Sequence, residues 1–151
     1  MCGGIIYNLA KVKKSDLEKF YNEKEIERFE KTGQAESYFW QKQPVLPIEI
    51  EDKVELLPWG NRDKEIRLPL TGWAKQESID AGKWNYLKPK FIKISAEQGI
   101  EKGVKFEIDA GIQGLVVEKD GERHAYMVTK AATPEYLNLT HHDREPVLLN
   151  D

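Results

Sequence analysis

The spacing of apolar and polar residues changes several times along the chain, and each change predicts a different element. The opening CGGIIYNL is a short apolar run behind two glycines, which is typical of a strand. The following SDLEKFYNEKEIERFEKTG has apolar residues at helical spacing, beginning with Leu17, Phe20 and Tyr21. Ser15 is a candidate N-cap and Gly33 follows the last turn, so this segment predicts one helix or two short ones.

Most of the remaining chain predicts β-structure, because short apolar runs are separated by Pro and Gly. The candidate strands are ESYFW, LPIEI, VELLPW, KFIKIS, VKFEI, IQGLVV, HAYMVTKA and PVLL. An Asp-Gly pair within EKDGER predicts a hairpin turn, and Thr133 followed by Pro134 predicts the start of a short helix. The strands are spaced too closely for parallel crossovers. We therefore expect one mixed α+β domain over residues 1–151, with mostly antiparallel strands and a few short helices.

Composition and charge narrow the class of protein. The chain has 151 residues, of which 40% are apolar and 32% charged, which suits one globular domain with a core. A formal net charge of −3 argues against a protein that holds duplex nucleic acid mainly by neutralising phosphates. The sequence has neither an apolar run of membrane-spanning length nor a basic start followed by an apolar region, so we expect a cytoplasmic monomer without a membrane partner.

Cys2 is the one cysteine of the sequence, so it has no partner for an intramolecular disulfide. Three interpretations remain: a buried filler thiol, an incidental N-terminal residue, or a reactive thiol. Removal of Met1 would give Cys2 a free α-amine beside its thiol. The amine can form an imine with an aldehyde, and the thiol can then close on the imine carbon to give a five-membered thiazolidine.

Two further segments carry candidate acid–base residues. Glu101 is predicted to lie in a glycine-flanked turn after an apolar strand. His141 and His142 are adjacent in LTHHDREPVLL, so their side chains should point in opposite directions and only one should face a site. His124 is the third histidine and no metal-ligand spacing appears, so we predict neither a metal nor a cofactor.

Aromatic residues are frequent near the predicted loops and strand ends. They include Tyr38, Phe39, Trp40, Trp59, Trp73, Trp84 and Tyr86. Burial in the core is one interpretation of such residues, and a surface on which unpaired bases stack is the other.

Six segments along the whole chain resemble, in their order, the landmarks of the SOS-response-associated peptidase (SRAP) family. They are MCG, LLPWGN, TGWAKQES, SAEQGIEKG, YMVTKAA and HHDREPVLL. The resemblance implies a barrel-like sheet. It also implies that the protein binds single-stranded DNA and crosslinks abasic sites through a thiazolidine on Cys2, once Met1 has been removed. The family's glutamate falls on Glu101, as the acid that opens the sugar ring, and its histidine falls on His142, as an aid to proton transfer.

The expected DNA-binding residues are Lys75, Trp59, Trp73 and Arg144. The chain also departs from the family pattern. Gly4 stands where an arginine is usual, Lys75 replaces a second arginine, and Trp73 stands where the family has an asparagine that holds the α-amine. Asn61 and Asn85 are candidate replacements for that amide.

Three alternative functions remain open at this stage. The first is a DNA-binding or regulatory relative that has lost the covalent chemistry. The second is an N-terminal-nucleophile amidohydrolase, since such domains also begin Met-Cys-Gly. The third is a peptidase activity limited to removal of Met1.

Overall fold

The computed structural model describes residues 2–150. The strands are β1 (Gly4–Asn8), β2 (Gln34–Tyr38), β3 (Val45–Ile50), β4 (Lys53–Pro58), β5 (Trp73–Lys75), β6 (Lys90–Ile94), β7 (Gln98–Glu101), β8 (Val104–Glu107), β9 (Ile112–Lys119), β10 (Glu122–Ala131) and β11 (Arg144–Pro146). The helices are α1 (Lys14–Phe20), α2 (Glu23–Thr32), α3 (Gln76–Asp80) and α4 (Pro134–Thr140), and a 3₁₀ turn covers Asn85–Leu87.

The strands form two sheets. The first has the order β2-β1-β7-β8, and the second has the order β11-β10-β9-β6-β3-β4, with the short β5 pairing parallel to β10. The other pairings between named strands are antiparallel, so the prediction of a mixed, mostly antiparallel α+β fold is confirmed. The expected barrel-like sheet is wrong, because the sheets of residues 2–150 are not closed: β2 does not pair with β8, and β11 does not pair with β4.

The helical segment divides into two helices. Tyr21 is extended, with φ −124° and ψ 151°, and Asn22 then caps α2 by accepting a hydrogen bond from the Glu25 backbone N–H. Gly33 ends α2 in the left-handed conformation, as predicted, with φ 76°. Ser15 is not the N-cap of α1, because that position belongs to Lys13, whose side chain makes no capping bond.

The structure confirms two local predictions later in the chain, a hairpin turn and a helix cap. Asp120 and Gly121 join β9 to β10 with φ values of 52° and 83°, the positive sign that a tight hairpin turn of this kind requires. The Thr133 side chain accepts from the Tyr136 backbone N–H and caps α4, with Pro134 in its first turn. The predicted strand PVLL is wrong after its first residue, since β11 ends at Pro146.

The main core lies where the two sheets face each other. Its largest fully buried side chains include Ile5, Tyr7, Leu46, Trp59, Ile94 and Met127. A second cluster, with Leu68, Trp84, Leu115, Tyr126 and Val128, lies against β9 and β10. No helix among residues 2–150 is long and apolar enough to cross a membrane.

Ser37 connects β2, an edge strand of the first sheet, to the start of β3 in the second sheet. It is fully buried on β2, and its Oγ donates to the Val45 carbonyl of β3 at 2.6 Å while accepting from the Val45 N–H at 3.1 Å. One side chain therefore satisfies both polar backbone groups of Val45, at a point where the sheets approach without strand pairing.

We expect Ser37→Ala to lower the free energy of unfolding by about 2–4 kcal/mol, because it leaves two buried backbone groups without a partner. The measurement is urea unfolding followed by tryptophan fluorescence. Ser15→Ala is the control, since Ser15 is exposed in α1 and should change stability by less than about 0.5 kcal/mol. Equal stabilities of the two variants would contradict this role of Ser37.

Candidate functional site

Cys2 lies two residues before β1, one of the two inner strands of the first sheet. The next residue extends the pairing of β1 on both sides, because the Gly3 N–H donates to Ile100 O at 3.1 Å and the Phe39 N–H donates to Gly3 O at 3.0 Å. The Cys2 side chain is fully buried, and its Sγ donates to Gly4 O at 3.0 Å. The N-terminal segment is thus held between β2 and β7.

Burial controls the acidity of this thiol. Loss of solvent raises the pKa of Cys2 from 9.0 to about 12, and the nearby Glu101 carboxylate acts in the same direction. The thiol is therefore neutral at physiological pH. Its conversion to a thiolate nucleophile depends on groups within the site.

Glu101 and His142 form a pair beside Cys2. Glu101 is the last residue of β7 rather than part of the turn, and only 7% of it is exposed. His142 Nε2 lies 3.9 Å from Glu101 Oε1. His142 Nδ1 accepts from the Arg144 backbone N–H at 3.1 Å, so in neutral His142 the proton resides on Nε2, toward Glu101. This arrangement suits proton exchange between the imidazole and the carboxylate.

The end of α4 separates the two adjacent histidines. His141 takes the left-handed conformation with φ 58°, is exposed, and accepts a hydrogen bond on its carbonyl from Lys102 Nζ at 3.1 Å. The His142 N–H bonds to Thr140 Oγ1 at 3.3 Å, which returns the chain toward Glu101. His141 is thus exposed at the helix cap, whereas His142 lies beside Glu101.

A cleft of about 700 Å³ opens above these residues. Its walls include Gly4, Tyr38, Trp73, Glu101, Lys102 and His142. Gly4 is required for its shape, because a Cβ at this position would come within 2.5 Å of the Tyr38 ring. The Tyr38 ring therefore covers Gly4, two positions after Cys2.

Trp73 contacts Cys2 directly. Its indole Nε1 donates to the Cys2 carbonyl at 3.0 Å, and its ring packs against Phe39 at a centroid distance of 4.7 Å. Asn61 does not serve the site, because its side-chain amide donates to the Ile66 and Leu68 carbonyls. The Trp73 indole N–H therefore holds the backbone of Cys2 by its carbonyl oxygen.

Trp59 cannot serve as a surface for bases in this structure. Only 2% of it is exposed, and its Nε1 donates to Gly72 O at 2.9 Å. Trp40 has the opposite environment: it is 73% exposed, it lines the cleft, and its ring stacks on Tyr38 at 5.1 Å with an interplanar angle of 25°. The exposed aromatic surface of the cleft is therefore the Tyr38–Trp40 pair.

Arg144 also differs from its predicted role. Its guanidinium makes two hydrogen bonds to Glu77, at 2.7 and 3.2 Å, and a third to the Thr129 carbonyl, so it joins α3 to the second sheet. Only 14% of its side chain is exposed. Lys75 is exposed but does not line the cleft, whose lysines are Lys102 and Lys105.

Tyr136 was not singled out in the sequence. It belongs to α4, only 7% of it is exposed, and its hydroxyl has no hydrogen-bond partner among residues 2–150. Burial raises the pKa of Tyr136, and the neighbouring Cys2 and Glu101 raise it further. An ordinary helical pattern gives no sign that this hydroxyl lies near Cys2 and Glu101.

In the part of the chain that the structure describes, no group of three or more His, Cys, Asp or Glu side chains is placed to hold a metal ion.

Comparisons with known proteins identify a solved structure with a similar fold. No family model and no curated protein matches the chain. The chain is similar to the crystal structure of a protein from Bacteroides thetaiotaomicron, with a TM-score of 0.59 and 17% sequence identity, covering 97% of this chain and 77% of that one.

Proposed function

We propose that this protein binds single-stranded DNA and forms a covalent thiazolidine with the aldehyde of an abasic site through Cys2. The observation that carries the proposal is the position of the one cysteine, which lies at the start of a strand beside the Glu101–His142 pair and below an open cleft. The proposal requires removal of Met1, which lies outside the described residues.

The chemistry proceeds in two bond-forming stages. Glu101, as a carboxylic acid, protonates the sugar ring oxygen, the proton of the C1′ hydroxyl returns to its carboxylate as the ring opens to the aldehyde, and His142 assists the later proton transfers around the imine. The Cys2 α-amine then attacks the aldehyde carbon, and loss of water gives an imine. The sulfur adds to the imine carbon, the C=N electron pair moves to nitrogen, and nitrogen takes the proton released by the thiol. The balanced result is a thiazolidine and one water.

The order of motifs along the chain supports this proposal, since it resembles the SRAP family from MCG to HHDREPVLL. At the two positions of the site where the chain departs from the family pattern, the residue present makes a specific contact. Tyr38 occupies the space over Gly4, where an arginine side chain would have to displace it. Trp73 holds Cys2 by its carbonyl, a contact that an indole N–H can make, although it cannot accept a hydrogen bond from the α-amine.

The cleft itself favours an unpaired strand over a duplex. Trp40 and Tyr38 offer a stacked and exposed aromatic surface, which suits bases with free faces. Lys102 and Lys105 supply local positive charge in a protein of net charge −3.

Binding of single strands without the covalent step is the second candidate function. The buried thiol, with its pKa raised to about 12, favours it, as does the tryptophan in place of an amide at position 73. The two candidates differ in one observable, the survival of the complex under denaturing conditions.

Wild-type protein should give a band with abasic single-stranded DNA that survives a denaturing gel, and intact mass should show a chain beginning at Cys2. Cys2→Ala should abolish the band, because it removes the sulfur that closes the ring. Cys2→Ser should leave a weaker adduct that borohydride stabilises as an amine. A Cys2→Ala protein that crosslinks like wild type would overturn the mechanism, whereas binding without any adduct would support the second candidate.

Glu101→Gln should slow adduct formation about 10²-fold, the usual effect of losing a general acid, while leaving non-covalent binding almost unchanged. His142→Ala should slow the same step. His141→Ala is the matched control, since His141 faces solvent. Single-turnover crosslinking and a binding titration with intact DNA measure the two quantities, and equal losses at both histidines would contradict the assignment of His142.

Trp40→Ala should weaken binding of intact single strands about 5- to 160-fold, because stacking on one base contributes about 1–3 kcal/mol. The exposed position of Trp40 means that the melting temperature should hardly change. Phe91→Ala removes another exposed ring, on β6, which does not line the cleft and should leave affinity unchanged. Fluorescence anisotropy and thermal melts test this together, and equal affinities of the two variants would exclude stacking at Trp40.

A further inference from the structure

Tyr136 carries a buried hydroxyl that the fold itself does not use. Its Oη is inaccessible to solvent and has no hydrogen-bond partner among residues 2–150. A buried polar group in this state destabilises the fold, and most buried hydroxyls have a partner. Phenylalanine would fill the same volume without this cost.

The ring of Tyr136 is fixed in place by its own helix and by β8. Its backbone N–H bonds to the Thr133 cap, and its carbonyl accepts from Thr140 Oγ1 at 2.8 Å. Phe106 contacts the ring edge to face, at a centroid distance of 5.3 Å and an angle of 81°. The nearby Thr140 hydroxyl lowers the pKa of Tyr136, but it donates its own proton to the Tyr136 carbonyl, and the Oη itself makes no hydrogen bond among residues 2–150.

Tyr136 belongs to a cluster of buried groups at the site. Cys2, Glu101 and Glu145 all act on its ionisation, and each of them is at least nine-tenths buried. Glu145 already accepts from the Thr133 N–H at 2.7 Å. Because these neighbours carry or can acquire negative charge, the phenol remains protonated and is a hydrogen-bond donor.

We propose that Tyr136 is a positioning residue that donates a hydrogen bond to the Cys2 sulfur as the thiol loses its proton, and so promotes closure of the imine to the thiazolidine. This inference rests on the proposed function. The thiol proton goes to the imine nitrogen, a sulfur lone pair forms the C–S bond, and Tyr136 keeps its own proton throughout. A donor at the sulfur opposes the loss of solvation that disfavours the buried thiolate.

The experiment compares Tyr136→Phe with wild type on abasic single-stranded DNA. Samples are quenched with borohydride, denatured and treated with iodoacetamide, so that an open imine is counted as an adduct with an alkylated thiol and a thiazolidine as one without. Tyr136→Phe should form the imine at the wild-type rate and close it about 10-fold more slowly. Tyr126→Phe is the matched control, because its buried hydroxyl bonds to Pro69 O in the second cluster.

Closure at the wild-type rate in Tyr136→Phe would overturn the inference and leave the proposed function standing. A wild-type protein that forms no adduct would instead overturn the proposed function. A second measurement, without DNA, then tests Tyr136 directly: the pH profile of Cys2 alkylation. The midpoint of this profile should lie at a higher pH in Tyr136→Phe than in wild type and Tyr126→Phe. Glu101, which also acts on the thiol, is present in all three proteins and does not account for a difference between them. Coincident profiles would overturn the inference.

Discussion

The insertion of the N-terminal segment between β2 and β7 is the constraint on which the site depends. Gly3 bonds to a residue of each flank, Ile100 and Phe39, so the chain just after Cys2 is as fixed as the interior of a sheet. Termini usually fray because nothing holds their backbone. Here the backbone pairing holds the sulfur in the core and brings the end of β7, with Glu101, to the same place.

This position has a chemical consequence, because a group fixed in the core is also poorly solvated. The Cys2 thiol is far from ionised at neutral pH. Burial therefore fixes the orientation of the thiol but lowers its intrinsic reactivity as a nucleophile. The polar side chains around it can restore part of that reactivity. In the proposed mechanism these are Glu101 and His142, which lie 3.9 Å apart, and Tyr136, whose hydroxyl makes no hydrogen bond among residues 2–150.

Sequence reasoning worked where one local signal decides the outcome, as at Gly33 and in the Asp120–Gly121 turn. It failed where distant parts of the chain meet. Trp59 is buried because β4 passes through the core, and Arg144 is neutralised by Glu77, 67 positions away. Periodicity reports which residues are apolar or charged, but it does not report their partners. Whether the sheets close depends on such pairings too.

The aromatic residues around Gly4 are what the proposed function requires of a protein with a net charge of −3. Tyr38 packs onto the glycine backbone, and Trp40 stacks on Tyr38, so each ring supports the next up to the solvent. An arginine at position 4 would bind a phosphate and release a counterion, which makes affinity depend on salt. Stacked rings bind the faces of bases instead, with little dependence on salt. In the proposed function, Gly4 and the aromatic pair together therefore replace a cationic contact to the strand.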